Sequence, residues 1–172
     1  VKKPIPENNS KADYTNLNFK EAKKNTRSLI FESVESRAVS DVPIGSFLSG
    51  GVDSSIISLC LSMSQEKKIN TFSIGFEKKE FDETDRSDVV SKIIKSDHNK
   101  IIVSQNDLSV NIHDVILNFD EPFADSSAIP TFLVSNLTSK SIKVALTGDG
   151  GDELFGGYNK YYMAKLNKIY TT

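Results

Sequence analysis

Apolar and polar positions alternate between two periods along this chain. Residues 1–16 have no hydrophobic period and carry Pro4, Pro6, Asn8, Asn9 and Ser10, so they read as a linker or mobile terminus ahead of a domain spanning 17–172. Phe19, Ala22, Thr26, Leu29, Ile30, Ser33, Val34 and Arg37 then recur at spacings of three and four. Lys20, Lys23, Lys24, Glu32 and Glu35 fall mostly on the opposite side, which predicts an amphipathic helix ending near Val39, ahead of Pro43. Beyond it, short apolar runs alternate with helical patterns. The runs predict strands over Ile44–Leu48, Thr71–Phe76, Lys100–Val103 and Ile142–Thr147. Helices are predicted over Ser54–Ser64, Asp82–Lys95, Leu108–Phe119 and Ala128–Ser139. Ile56, Ile57, Leu59, Cys60 and Leu61 are read as mostly buried and Val89, Val90, Ile93 and Ile94 as an inner face, while the next helix runs through Ile112, Val115, Ile116 and Phe119. This order implies an α/β domain of three layers: a mostly parallel, doubly wound sheet between helices, with right-handed crossovers.

Composition narrows the function classes. A length of 172 residues with 38% hydrophobic and 26% charged residues suits one globular domain. The 21 basic residues against 23 acidic ones leave a net charge of −2, with no basic footprint for nucleic acid. A single cysteine, Cys60, excludes an internal disulfide framework and fits a reducing, cytoplasmic compartment. No apolar run approaches the roughly 20 residues of a membrane-spanning helix, and no signal peptide is evident. The chain starts at Val1 rather than Met, and its polar lead-in reads as the cut end of an inter-domain linker, so a longer parent protein is expected.

Two loops carry candidate chemistry, and both follow strands, where open α/β sheets bind ligands. The first is Ser49-Gly50-Gly51-Val52-Asp53-Ser54-Ser55. Its glycines allow close backbone approach, and successive N–H groups at a helix start make an anion cradle to which the serines add hydroxyl groups. The Gly-Lys-Ser/Thr ending of the common P-loop is absent. A carboxylate at Asp53 would repel phosphate unless a cation such as Mg²⁺ lies between them. The plainer alternative is a tight turn with Asp53 or Ser54 as an N-cap.

The second loop, Thr147 to Tyr158, packs five glycines with Asp149, Asp152 and Glu153. Like charges so clustered are destabilising unless they are solvated or share a cation. One carboxylate can therefore hold a metal while another positions or deprotonates a nucleophile; a solvated acidic turn is the alternative. A third segment offers Asp125, Ser126 and Ser127, either as contacts for a polar substrate or as caps of the next helix. His98 and His113 lack partners at metal-ligand spacing, Cys60 reads as a core thiol, and Tyr158, Tyr161, Tyr162 and Tyr170 read as packing residues.

Together VPIGSFLSGGVDSS, TFSIGF, FDEPFADSSAIP and LTGDGGDELFGGY resemble the synthetase domain of glutamine-hydrolysing asparagine synthetases, over about Phe19 to Tyr162. The SGGVDSS loop alone is similar to the wider N-type ATP pyrophosphatases. The resemblance implies an adenine nucleotide alpha hydrolase-like fold and an ATP- and Mg²⁺-dependent ligase. In such an enzyme the aspartate side chain is adenylated with release of pyrophosphate, and ammonia then displaces AMP. It further implies that Ser49, Gly50, Gly51, Ser54 and Ser55 cradle the pyrophosphate portion and that Asp53 and Asp152 hold Mg²⁺. Phe47, Leu48, Ile74, Gly75, Thr147 and Gly148 would line the nucleoside pocket. Asp149 stands where better-known members carry a glutamate implicated as a base in the ammonia step, and its side chain reaches one methylene less far. Implied partners are aspartate, ammonia or glutamine, a glutaminase domain in the parent chain or in trans, and a second copy of the parent enzyme. The alternatives are a β-lactam synthetase-like or other adenylating amidotransferase acting on another acid, and a non-catalytic nucleotide-binding remnant.

Overall fold

A computed structural model describes residues 16–80, 82, 84–121, 125 and 127–163, without the side chain of Leu108. The predicted linker therefore lies outside the described residues except for Asn16, as does Tyr170. Helix α1, Phe19–Arg37, begins in a capping box: the Glu21 N–H donates to Asn18 Oδ1 at 3.0 Å, and the Glu21 carboxylate accepts from the Asn18 N–H at 3.2 Å. The chain then runs through β1 (Ile44–Phe47), α2 (Val52–Ser64), β2 (Asn70–Phe76), α3 (Thr84–Ile94), β3 (Asp97–Val103), α4 (Gln105–Leu117), α5 (Ala128–Thr138), β4 (Val144–Leu146) and the short α6 (Gly151–Phe155).

The strands form one sheet in the order β3-β2-β1-β4, with every pairing parallel. Strands are added outward from β1 to β3, and β4 then joins on the other side of β1. The switch point thus falls between β1 and β4, where the loops leaving the two strands diverge and open a crevice. Alternating side chains feed two cores. Val34, Leu61 and Ile69 fill the layer under α1 and α2, with Ile44, Ile57, Cys60, Ile94 and Leu146 against them. Phe72, Val134 and Ile142 fill the layer under α5, with Phe47, Ile74, Ile101 and Ala145. Half-buried Cys60 belongs to the first core, and burial pushes its thiol pKa up, as for an inert packing residue. Among the described residues no helix is long and apolar enough to cross a membrane.

The helix faces differ from the expectation drawn from apolar spacing. On α2, Ser58 and Leu61 are buried while Ile56 and Leu59 are exposed. On α3 the inner residues are Thr84, Ser87 and Ser91, whereas Val89 and Ile93 are 58% and 71% exposed. On α4, Val115 is buried, but Ile112 and Ile116, and Phe119 beyond the helix end, are exposed. Internal hydrogen bonding explains the buried serines. Ser46 on β1 and Ser58 on α2 are both fully buried and share a hydrogen bond of 2.8 Å, which satisfies two small side chains between helix and strand. Ser46→Ala should destabilise the fold by about 1–3 kcal/mol because it strands the Ser58 hydroxyl. The Ser46→Ala/Ser58→Ala double variant should recover part of that loss in denaturant titrations.

Of the buried serines of α3, Ser87 faces His98, which β3 carries because the strand starts at Asp97, three residues before the predicted Lys100. Thr71 Oγ1 lies 2.9 Å from His98 Nδ1, and Ser73 and Ser87 lie 3.2 and 3.3 Å from Nε2. Burial depresses the pKa of His98 below its ordinary 6.5, against the attraction of Asp88. The unfolded chain therefore takes up a proton that the native ring refuses. The stability from the neutral ring is complete above pH 6.5 and drains away as pH falls from there toward the depressed value. Thermal melts across that window should show the loss.

Candidate active site

The first loop turns tightly onto α3. Gly50 has φ +84°, and a Cβ there would stand 2.5 Å from Arg86 Cβ and 2.7 Å from Ser87 N. The next glycine, Gly51, is the N-cap of α2 and brings no side chain, so the N–H groups of the helix's first turn have no capping side chain. Ser49 Oγ lies 2.9 Å from Ser54 Oγ and accepts from the Gly51 N–H at 3.3 Å. This start of a 13-residue helix combines glycine backbone, serine hydroxyls and the positive end of the macrodipole, the features of an anion site. Ser55 Oγ is buried without a hydrogen-bond partner among the described residues.

The second loop packs directly on that helix start. A Cβ at Gly148 would lie 2.8 Å from Ser54 N, and one at Gly151 would collide with the Asp53 carboxylate. Only glycine lets the two loops touch at these points. Thr147 donates its hydroxyl to Asp149 Oδ2 at 2.8 Å, and Tyr158 donates to Glu153 Oε1 at 2.5 Å. The second bond holds the Glu153 pKa below and the Tyr158 pKa above their ordinary values, with the phenol pushed up to about 12. Two of the four carboxylates are thus engaged by hydroxyl donors, while those of Asp53 and Asp152 take no side-chain hydrogen bond or ion pair among the described residues.

Between the loops lies a cavity of about 760 Å³, within the range of small-molecule sites. It brings together the expected Phe47, Ser49, Gly51, Asp53, Ser54, Thr147, Gly148, Asp149 and Asp152. Val52, Gly150, Glu153, Gly157 and Tyr158 join them, as does Thr131 from the first turn of α5. Thr131 had no motif to mark it, and Tyr158, read as a packing residue, lines the cavity. Other candidates lie outside its lining. Gly50 supports the loop from behind against α3, Leu48 is fully buried, and Ser55 points into the protein. Ile74 packs in the core under α5, and Gly75 is pressed against Asp82 and Thr84. Asp125 is exposed and accepts from Ser127 N–H and Oγ–H, both at 2.8 Å, which lowers its pKa; Ser126 lies outside the described residues. Ser127 is the N-cap residue of α5 but makes no side-chain cap bond.

No group of three or more His, Cys, Asp or Glu among the described residues forms a ready-made metal site. Mg²⁺ does not require one, because it commonly binds one or two carboxylates together with substrate phosphates. Two unengaged carboxylates beside an anion cradle suit that mode.

A sequence profile of asparagine synthase matches residues 25–171. The chain belongs to the asparagine synthase family. It is 39% identical over 155 residues to asparagine synthetase [glutamine-hydrolyzing] 1 of Bacillus subtilis, covering 88% of this chain and 24% of that protein. A Methanocaldococcus jannaschii protein provisionally assigned the same activity is 40% identical over 148 residues, covering 83% of this chain and 28% of its own length. The chain thus spans about a quarter of these relatives. Among solved structures, the NH3-dependent NAD synthetase of Campylobacter jejuni superposes with a TM-score of 0.55 at 13% identity, over 79% of this chain and 60% of that one. The NMN synthetase of Francisella tularensis gives 0.53 at 10% identity, over 80% and 59%. The fold is the adenine nucleotide alpha hydrolase-like one that the resemblance implied.

Proposed function

We propose that this asparagine synthase-family domain binds ATP with Mg²⁺ at the β1/β4 switch point and uses it to form an amide. The observation that carries the reading is the pairing of an anion cradle, Ser49 to Ser54, with the unengaged Asp53 and Asp152 along one cavity. The uncapped start of α2 and the Ser49 and Ser54 hydroxyls bind and orient the β- and γ-phosphates. Asp53 and Asp152 would hold Mg²⁺, which when bound would neutralise charge on the departing pyrophosphate. Phe47, Thr147 and Gly148 take the nucleoside side of the cavity. The aspartate side-chain carboxylate attacks the α-phosphorus, giving β-aspartyl-AMP and pyrophosphate. Ammonia then attacks the activated carbonyl, AMP leaves, and a proton is lost to give asparagine. In this reading Asp149, whose carboxylate accepts a hydrogen bond from Thr147, takes that proton. The ammonia comes from a glutaminase domain of the parent protein or from solution, and the setting is cytoplasmic.

The test supplies the chain with ATP, Mg²⁺, aspartate and ammonium and measures pyrophosphate and asparagine. Both products are expected. Pyrophosphate formed only with a different acid would move the substrate toward a β-lactam synthetase-like or other amidotransferase reaction. Nucleotide binding without turnover would leave a nucleotide-binding remnant. A folded chain that binds no nucleotide would overturn the reading.

A further inference from the structure

His98 takes no part in the reaction just described, yet its imidazole sits in a socket built by three elements. The ring is 9% exposed, with Thr71 and Ser73 of β2 and Ser87 of α3 around it. The Ser87 hydroxyl already donates to the Thr84 carbonyl at 2.8 Å, so toward the ring its oxygen accepts. That makes Nε2 the protonated nitrogen of the neutral ring and Nδ1 the acceptor of the Thr71 hydroxyl, whose oxygen in turn lies 2.8 Å from Ser96 Oγ. Ser87 is also one of the two residues on which the first loop rests. A Cβ on Gly50 would reach Ser87 N at 2.7 Å and the Arg86 Cβ and carbonyl carbon at 2.5 and 2.8 Å. One serine therefore joins the imidazole to the back of the anion cradle.

We propose that His98 is a positioning residue for the cradle: through Ser87 it holds the first turn of α3 against Gly50 and thereby aims the N–H groups of the Gly51 to Ser54 segment at phosphate. The consequence for affinity rests on the nucleotide reading above; the link from His98 to Gly50 stands or falls without any nucleotide. Charges reach the ring from two of the elements around it. On α3, Asp88 Oδ1 lies 3.8 Å from Nε2, and Lys92 acts on Asp88. On β3, Lys100 pairs with the other Asp88 oxygen at 2.7 Å and is itself influenced by Asp82 and Asp85. β2 presents the hydroxyls of Thr71 and Ser73 and the Thr71 backbone, but no charged group. Protonation makes both ring nitrogens donors. The Thr71 hydroxyl must then turn toward Ser96, and the attraction of Asp88 for Nε2 competes with Ser87.

The experiment follows the His98 ring resonances and the Gly50 and Gly51 amides by NMR in the nucleotide-free chain, from about pH 8 to about pH 4.5. The Gly50 amide is expected to move with the His98 midpoint. In Ser87→Ala the ring should still titrate while Gly50 stops following it. In Asp88→Asn, a change at a partly exposed site, both midpoints should fall together. Magnesium pyrophosphate should bind Ser87→Ala about threefold to tenfold more weakly, the worth of one hydrogen bond. It should bind Ser91→Ala normally, since among the described residues that hydroxyl bonds only the Asp88 carbonyl. A Gly50 amide that does not move, moves with another midpoint, or still follows His98 in Ser87→Ala would overturn the proposal. Wild-type protein that binds no pyrophosphate but keeps the coupled titration would refute the nucleotide reading alone.

Discussion

Asp53→Asn is expected to lower Mg²⁺- and ATP-dependent pyrophosphate release by about a hundredfold to a thousandfold, because a metal's charge stabilisation is worth several kcal/mol. Asparagine keeps the size of the side chain that Gly151 packs against, so the two loops should stay in contact and the melting temperature should hardly change. The loss is therefore assigned to charge rather than to shape. Asp149→Asn supplies the contrast. Its carboxylate accepts from Thr147, and under the proposed mechanism it acts only in the ammonia step, so pyrophosphate formation should persist while amide formation slows. Both are read by measuring pyrophosphate and asparagine in one reaction mixture. An Asp53→Asn protein that releases pyrophosphate at the wild-type rate would remove Asp53 from the metal site.

Gly50→Ala should be the most damaging change to the fold at the site. The position has φ +84°, and the added methyl group would meet backbone atoms of Arg86 and Ser87 at 2.7–2.8 Å, which cannot rotate away as a flexible side chain could. Left-handed strain alone costs about 1–2 kcal/mol, and displacing α3 adds to it. A total on the order of 3 kcal/mol corresponds to a melting temperature lower by about 6–12 °C for a chain of this size. Gly51→Ala makes a suitable comparison, since a Cβ there meets only Ser49 Oγ at 3.4 Å. It should retain most of the stability, so calorimetry of the two variants side by side checks whether the backbone contact with α3 sets the difference.

The alternation of strands and helices and both loops were legible because each rests on local signals: short apolar runs, glycine pairs and carboxylates placed just beyond strands. The order of strands was not, since nothing local places β4 beside β1 rather than beyond β3. Helix faces misled where polar residues are satisfied internally. Ser58 finds Ser46, and Ser87 finds His98 and the Thr84 carbonyl, so serines occupy the inner face that apolar spacing assigned to Val89 and Ile93. His98, discounted for want of a second ligand, proved to be the centre of a hydroxyl network that spacing rules for metal sites do not describe. Thr131 and Tyr158 reach the cavity from α5 and from beyond α6, an approach set by tertiary packing rather than by motif. Gly148 and Gly151 carried more than turn geometry, because each is the close contact between the acidic loop and the start of α2.

Binding of ATP with Mg²⁺ in the cavity between the β1 and β4 loops is checked by titrating Mg·ATP into isotope-labelled protein while following backbone amides. Saturable, Mg²⁺-dependent shifts at Gly51, Ser54 and Gly148 are expected, with Asn118 at the end of α4 unmoved. Saturable shifts confined to residues away from the two loops, or none in a folded chain, would contradict it.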